Sequence, residues 1–312
     1  MMSARTTGSA HASSGSPGPA AAQASPALAA FLAAYDATLG HWPVPAEAIT
    51  VRTPHGTTRV NACGPRDGRP LILLHGGGAT STGWFANVEA LTKAGHRVFA
   101  VDLIGDPGRS TLDAPLGGVG GLMRWLGAVL DGLGVAEADL CGHSYGGWIA
   151  LEYALHAPTG IGRLALLDPT QCFAGFRPGY LLRALPLFLP PRTAGKACSY
   201  LAWETRGGGS GTTAEFAWRE LYARGFADFP SARPVTGPRP TPDRLRHLTT
   251  PTLVLLAARS RTHDARRVAD LARKALPEAT VDVLADVSHH NLPAAHPAEL
   301  NRRLTEFLAV RT

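Results

Sequence analysis

Ala138-Asp139-Leu140-Cys141-Gly142-His143-Ser144-Tyr145-Gly146-Gly147-Trp148 is the stretch whose reading decides the fold. Ala138–Gly142 reads as a short strand, and Tyr145–His156 as a helix that follows with almost no connecting loop. The bend between them has the form G-x-S-x-G, with small residues two before and two after Ser144. Such residues let the backbone turn sharply, so the serine is expected in a strained conformation with its oxygen pointing out of the sheet edge. Its backbone then lies at a helix N-terminus, where free N–H groups and the helix dipole favour a developing negative charge. The competing reading is a glycine-rich turn with an incidental serine, and the abrupt strand-to-helix junction weighs against it.

On either side of this bend, strand and helix patterns alternate, which predicts a mostly parallel sheet with helices on both faces. Toward the N-terminus lie a hairpin, Ala48–Thr53 and Thr57–Ala62 around His55-Gly56, and the apolar strand Pro70–Leu74. A helix over Thr82–Ala94, a strand over His96–Asp102 and an amphipathic helix over Gly121–Leu133 complete this half. Toward the C-terminus the strands are Ile161–Leu167, Thr252–Ala257 and Thr280–Leu284, with helices over Ala265–Leu276 and Ala298–Leu308. Eight strands are therefore expected, and a short helix over Leu28–Leu39 precedes them.

Residues 169–250 interrupt the alternation after the sixth strand. They hold an apolar piece (Tyr180–Leu189), two helical pieces (Gly195–Thr205 and Thr213–Ala223), a glycine-rich hinge (Gly207–Gly211) and a proline-rich exit. A stretch of this length without strand periodicity is not one plain loop. The expectation is a helical cap over the sheet's C-terminal edge, with residues 27–168 and 251–312 forming the core. Residues 1–26 are rich in Ala, Ser, Gly and Pro without a continuous apolar run, and read as a disordered tail, not a secretory signal.

Composition narrows the function classes. With 312 residues, 45% of them hydrophobic and 17% charged, the chain can bury a large core without disulfides or metals. The formal charge of +6 comes from scattered arginines, not from a basic run, so no nucleic-acid partner is expected. Cys63, Cys141, Cys172 and Cys198 show neither a CxxC pair nor a regular spacing, so neither a zinc site nor a disulfide framework is suggested. No stretch approaches the ~20 apolar residues of a membrane span, so no membrane partner and a cytoplasmic location are expected, and a homodimer is left open.

A second motif supports the first. Leu71–Leu74 runs as a buried strand into His75-Gly76-Gly77-Gly78, and glycines there would let backbone N–H groups converge on one point of a substrate. These residues, the loop Asp102–Ser110, the bend at Ser144 and a late histidine are similar to the α/β-hydrolase superfamily across about residues 49–308. The resemblance implies that Ser144 is a nucleophile and that the N–H groups of Gly77 and Tyr145 form an oxyanion hole. It places the general base in the loop after the last strand, where Ser288-His289-His290 stands; His289 is favoured because a small residue precedes it, with His290 as the fallback.

The third triad member departs from the family's usual pattern, because the position past the seventh strand where a carboxylate is customary holds Ser260. Two acids remain. Asp168 ends the sixth strand, a position that haloalkane dehalogenases use, whereas Asp264 follows the seventh strand but is also a natural helix N-cap. Asp168 is favoured. Asp102 and Asp106 read as loop-turning residues, Trp148 and Tyr153 as core packing, and Phe173, Phe176, Tyr180, Leu185 and Phe188 as residues that either pack or line an acyl pocket.

The activity implied is hydrolysis of a small-molecule carboxylic ester, thioester or lactone through an acyl-enzyme, with no cofactor. A C–C bond hydrolase would use the same residues. Dehalogenase and epoxide-hydrolase chemistry is disfavoured, because those relatives carry aspartate at the bend. A catalytically weak, ligand-binding member of the fold is the alternative from another class, and Ser260 is what keeps it in view.

Overall fold

The computed structural model describes residues 25–205, 211–229, 234–294 and 296–309. Most of the expected N-terminal tail, and residues 207–210 of the glycine-rich hinge, lie outside them. The chain opens with α1 (Pro26–Leu39) and the hairpin β1 (Glu47–Thr53) and β2 (Gly56–Cys63). There follow β3 (Arg69–Leu74), a 3₁₀ turn (Ser81–Trp84), α2 (Val88–Lys93), β4 (His96–Val101), α3 (Val119–Gly132) and β5 (Ala138–His143). After α4 (Tyr145–His156) and β6 (Ile161–Leu167), an insertion carries α5 (Pro178–Phe188), α6 (Ala194–Glu204), α7 (Thr213–Asp228) and the short α8 (Pro242–Leu245). The alternation resumes with β7 (Thr252–Ala257), α9 (Ala265–Ala275), β8 (Thr280–Leu284) and α10 (Pro297–Leu308).

The eight strands form one sheet in the order β1-β2-β4-β3-β5-β6-β7-β8. The β1–β2 and β2–β4 pairs are antiparallel, and every later pair is parallel. Side chains of a strand alternate between faces, and β3 divides accordingly. Ile72 and Leu74 join the core beneath α3, α4 and α9, while Leu71 and Leu73 join the opposite core with Val88 of α2 and Leu300 and Leu304 of α10. With both faces covered, the central strands are continuous apolar runs rather than alternating ones, which is why Pro70–Leu74 was legible as a buried strand.

One expected helix is broken. The stretch Thr82–Ala94 forms the 3₁₀ turn and α2 with a gap at Phe85–Asn87. The side chain of buried Asn87 donates to Asn301 Oδ1 of α10 at 2.8 Å, and Thr80 and Thr82 share a hydroxyl bond at 2.7 Å. Short polar side chains that hydrogen-bond elsewhere compete with helix continuity.

α1 packs on α7, through Phe31, Tyr35 and Leu221. The Tyr35 hydroxyl donates to Asp102 at 2.9 Å, and Asp102 also accepts from the amides of Ser81 (2.9 Å) and Arg109 (2.8 Å). Asp102 thus ties the loop after β4 to the loop after β3, in keeping with its expected loop-turning role.

Candidate active site

β5 ends in a bend so tight that only glycine fits on either side of it. A Cβ on Gly142 would lie 2.2 Å from the Gly146 carbonyl oxygen, and one on Gly146 would lie 2.3 Å from that of Leu74. Ser144 sits between them at φ 54°, ψ −116°, a region that non-glycine residues rarely occupy. Tyr145 is the first residue of α4, so its amide has no helical acceptor. Gly77 lies against Tyr145, a Cβ on it being 3.7 Å from the tyrosine Cβ. His75 fastens this loop from below. Its Nε2 accepts from the Leu103 amide at 3.0 Å, which leaves the ring proton on Nδ1 to donate to the Gly76 carbonyl at 2.9 Å.

The C-terminal ends of neighbouring strands bring three side chains into line. Ser144 Oγ lies 2.8 Å from His289 Nε2, and His289 Nδ1 lies 2.6 Å from Asp168 Oδ2. All three residues are buried. The tautomer follows from the partners: Nδ1–H donates to the carboxylate, and Nε2 is free to accept the serine proton. Asp264 is not at the site. It caps α9, accepting from the Arg267 amide at 3.1 Å, and pairs with Arg177 at 3.0 Å.

Asp168 is held by more than His289. Its Oδ1 accepts from the Ala257 amide at 3.0 Å and from His263 Nε2 at 2.9 Å. Burial opposes the charged carboxylate, yet the His263 charge and the bonds from both imidazoles hold it well below the usual carboxylate range. His263 responds in reverse: burial pulls it down, but Asp168 more than offsets this and raises it above 6.5. His289 is lowered from 6.5 because burial outweighs the opposing pull of Asp168.

Three flanking groups carried no functional reading in the sequence. His143 Nε2 donates to the His289 carbonyl at 2.8 Å, its ring kept neutral because burial pushes it down to about 3. Glu204, the last residue of α6, accepts from the amides of His289 (3.0 Å) and His290 (3.1 Å), and its carboxylate is 3.2 Å from the His290 ring. Burial raises Glu204, but the bonds and charge of His290 prevail and hold it at about 2. His263 is the third. A signal existed for two of them: Glu204 ends a run of 35 residues, 169–203, that contains no acid, and His263 stands three residues past Ser260 in the loop that customarily supplies the acid.

Ser144 stands between two hollows. One is a cleft of about 40 Å³, bordered by Trp84, Trp218 and Ala294. The other is a cavity of about 660 Å³ extending under the insertion, lined by Phe176, Tyr180, Leu187, Phe188 and Phe226. Of the five residues weighed as pocket lining, Phe176, Tyr180 and Phe188 border this cavity. Phe173 instead joins the core and Leu185 is exposed. Trp148 packs in the core, as the sequence reading expects, and also borders the cavity, as does Asp106. Asp106 accepts from the Gly78 amide at 3.3 Å, and burial raises its carboxyl to about 7.

This fold and this arrangement of side chains agree with the match of residues 71–303 to the Alpha/beta hydrolase family, and the chain belongs to that family. Carboxylesterase YbfK of Bacillus subtilis is 30% identical over 283 residues, which span 89% of this chain and 93% of YbfK. Its crystal structure superposes with a TM-score of 0.81 at 28% identity, covering 90% of this chain and 97% of its own. Naproxen esterase (carboxylesterase NP) of the same organism gives 0.81 at 26% identity, covering 91% and 98%. A 2-hydroxy-6-oxononadienedioate/2-hydroxy-6-oxononatrienedioate hydrolase of Burkholderia vietnamiensis is 43% identical over only 101 residues, 31% of this chain and 35% of its own.

Proposed function

We propose that the chain hydrolyses carboxylic esters of small molecules through an acyl-enzyme on Ser144. The observation that carries this reading is the unbroken alignment Ser144 Oγ, His289, Asp168, with contacts of 2.8 and 2.6 Å. His289 Nε2 takes the hydroxyl proton as Oγ attacks the ester carbonyl, and Asp168 stabilises the imidazolium that forms. The oxyanion is held by the N–H groups of Gly77 and Tyr145, each worth on the order of 3 kcal/mol in the transition state. His289 returns the proton to the departing alkoxide, then activates a water that releases the acid and restores Ser144.

The insertion α5–α7 acts as the cap, and Glu204 couples it to the loop that carries His289. The unequal hollows beside Ser144 suit an ester with one bulky apolar side, seated in the larger cavity, and one small side. Carboxylesterase YbfK and carboxylesterase NP match over most of their length at 30% and 26% identity, whereas C–C bond hydrolases match either over about a third of theirs or, over the whole length, at 20% identity, which favours ester over C–C bond hydrolysis. The weakly catalytic alternative drew on the absence of a carboxylate at Ser260, and Asp168 against His289 removes that argument.

The test is to incubate the protein with a fluorophosphonate probe and weigh it, then to measure turnover across a p-nitrophenyl ester series. Stoichiometric labelling at Ser144 with turnover lost in Ser144→Ala supports the proposal. A folded protein whose serine stays unlabelled and whose ester turnover equals that of Ser144→Ala would refute it.

A further inference from the structure

The insertion's first helix is built unlike any other surface element. Among the described residues, seven large hydrophobic side chains are exposed, and five of them, Leu181, Leu182, Leu185, Phe188 and Leu189, fall within nine consecutive residues. Leu182 and Phe188 are 71% and 67% accessible. Ala184 and Leu187 pack inward and border the cavity beside Ser144, which Leu181 and Phe188 also border, whereas Leu182, Leu185 and Leu189 do not. A helix that is apolar on its buried side and again on its free side is unstable in water unless something apolar covers it.

Charge identifies what covers it. Residues 169–203 hold Arg177, Arg183, Arg192 and Lys196 and no Asp or Glu. Arg177 pairs with Asp264, but no described carboxylate pairs with the other three. Arg183 donates to the Ser199 hydroxyl at 3.0 Å, and Lys196 to the carbonyls of Leu189 (2.9 Å) and Pro191 (2.8 Å). Their charge is left uncompensated beside the exposed leucines. A second copy of the chain would bring two such acid-free cationic patches together, since a two-fold interface sets one patch on itself. An anionic lipid surface answers both features, taking leucine and phenylalanine into its headgroup boundary while its phosphates meet the cations.

We propose that α5 docks on an anionic membrane surface, so that apolar acyl substrates enter the cavity beside Ser144 from the lipid. The helix lies on the bilayer and does not span it; no described helix is long and apolar enough to cross a membrane. Docking stands on α5 alone, whereas the entry of acyl substrates rests on the ester-hydrolase reading.

The experiment is flotation of the full chain with vesicles of phosphatidylcholine alone or mixed with phosphatidylglycerol, alongside analytical ultracentrifugation and hydrolysis of water-soluble p-nitrophenyl butyrate. The expected result is binding to the mixed vesicles that weakens as salt is raised. Leu182→Glu combined with Leu185→Glu, neither of which borders the cavity, should lower that binding about tenfold or more, with butyrate hydrolysis preserved. Arg183→Ala should lower it about fivefold and serves if the double variant does not fold. Ser144→Ala should bind as the parent does, so failure of the esterase reading and failure of docking are separable. Absence of vesicle binding, binding indifferent to both lipid charge and these substitutions, or a dimer that only the double variant dissociates would overturn the proposal.

Discussion

Replacing Asp168 by asparagine tests the site most directly, because the surrounding donors dictate how the new amide must sit. Oδ1 of Asp168 is held by two donors, one of them the Ala257 backbone amide, which cannot rotate away. The amide oxygen of Asp168→Asn must keep that place. Its NH₂ group is therefore turned toward His289 Nδ1, where the carboxylate now accepts at 2.6 Å. Two donors cannot share that contact, so His289 shifts its proton to Nε2 and presents an N–H to Ser144 in place of a lone pair. The wrong tautomer costs about four orders of magnitude in kcat, or roughly 5 kcal/mol of transition-state stabilisation. The assay is steady-state hydrolysis of a p-nitrophenyl ester at neutral pH, with circular dichroism to establish folding. KM should change little, since Asp168 does not border either hollow. A folded Asp168→Asn enzyme within about tenfold of the parent would refute the orientation argument. Asp264→Ala should leave kcat unchanged and cost about 1 kcal/mol of stability through the lost cap.

Further outcomes follow from the same geometry. Because burial lowers His289 below 6.5 and the reaction needs it neutral, the acid limb that His289 sets on kcat/KM should lie below that value; a pH–rate profile whose only acid limb lies above 6.5 would contradict this. Glu204 is held at about 2 against an ordinary 4.5, so the stability it contributes is present above 4.5 and is lost as pH falls toward 2. Thermal unfolding of Glu204→Gln should accordingly show a loss on the order of 3 kcal/mol at neutral pH that vanishes in acid. Asp106 has the opposite sign: its carboxyl is raised by burial from 3.8 to about 7, so stability falls as pH rises from the first value to the second, and Asp106→Asn should unfold at higher temperature than the parent at alkaline pH. Gly146→Ala places a methyl group against the Leu74 and His75 carbonyls and should cost on the order of 3 kcal/mol or more, measured by denaturant unfolding.

Much of this enzyme is legible in its sequence, and the legible parts are those governed by neighbours along the chain. The bend at Ser144 is readable because glycines at 142 and 146 are demanded by backbone atoms a few residues away or on the adjoining strand. The central strands are readable because a doubly covered sheet needs unbroken apolar runs such as Leu71–Leu74, and the edge strands β1 and β8 because their side chains alternate between buried and exposed; the order in which they pair is fixed by the assembled sheet. The choice between Asp168 and Asp264, by contrast, belongs to tertiary structure. Both are plausible acids in strand-following loops, and only the side-by-side pairing of β5, β6, β7 and β8 directs one toward an imidazole 121 residues away and the other into a helix cap. Glu204 and His263 left only indirect marks in the sequence and His143 none, for the same reason: each acts on the His289 loop or on Asp168 across the fold. Local backbone geometry leaves a mark in sequence because it constrains residue type in place, whereas electrostatic partners are set by distances that exist only once the sheet has assembled.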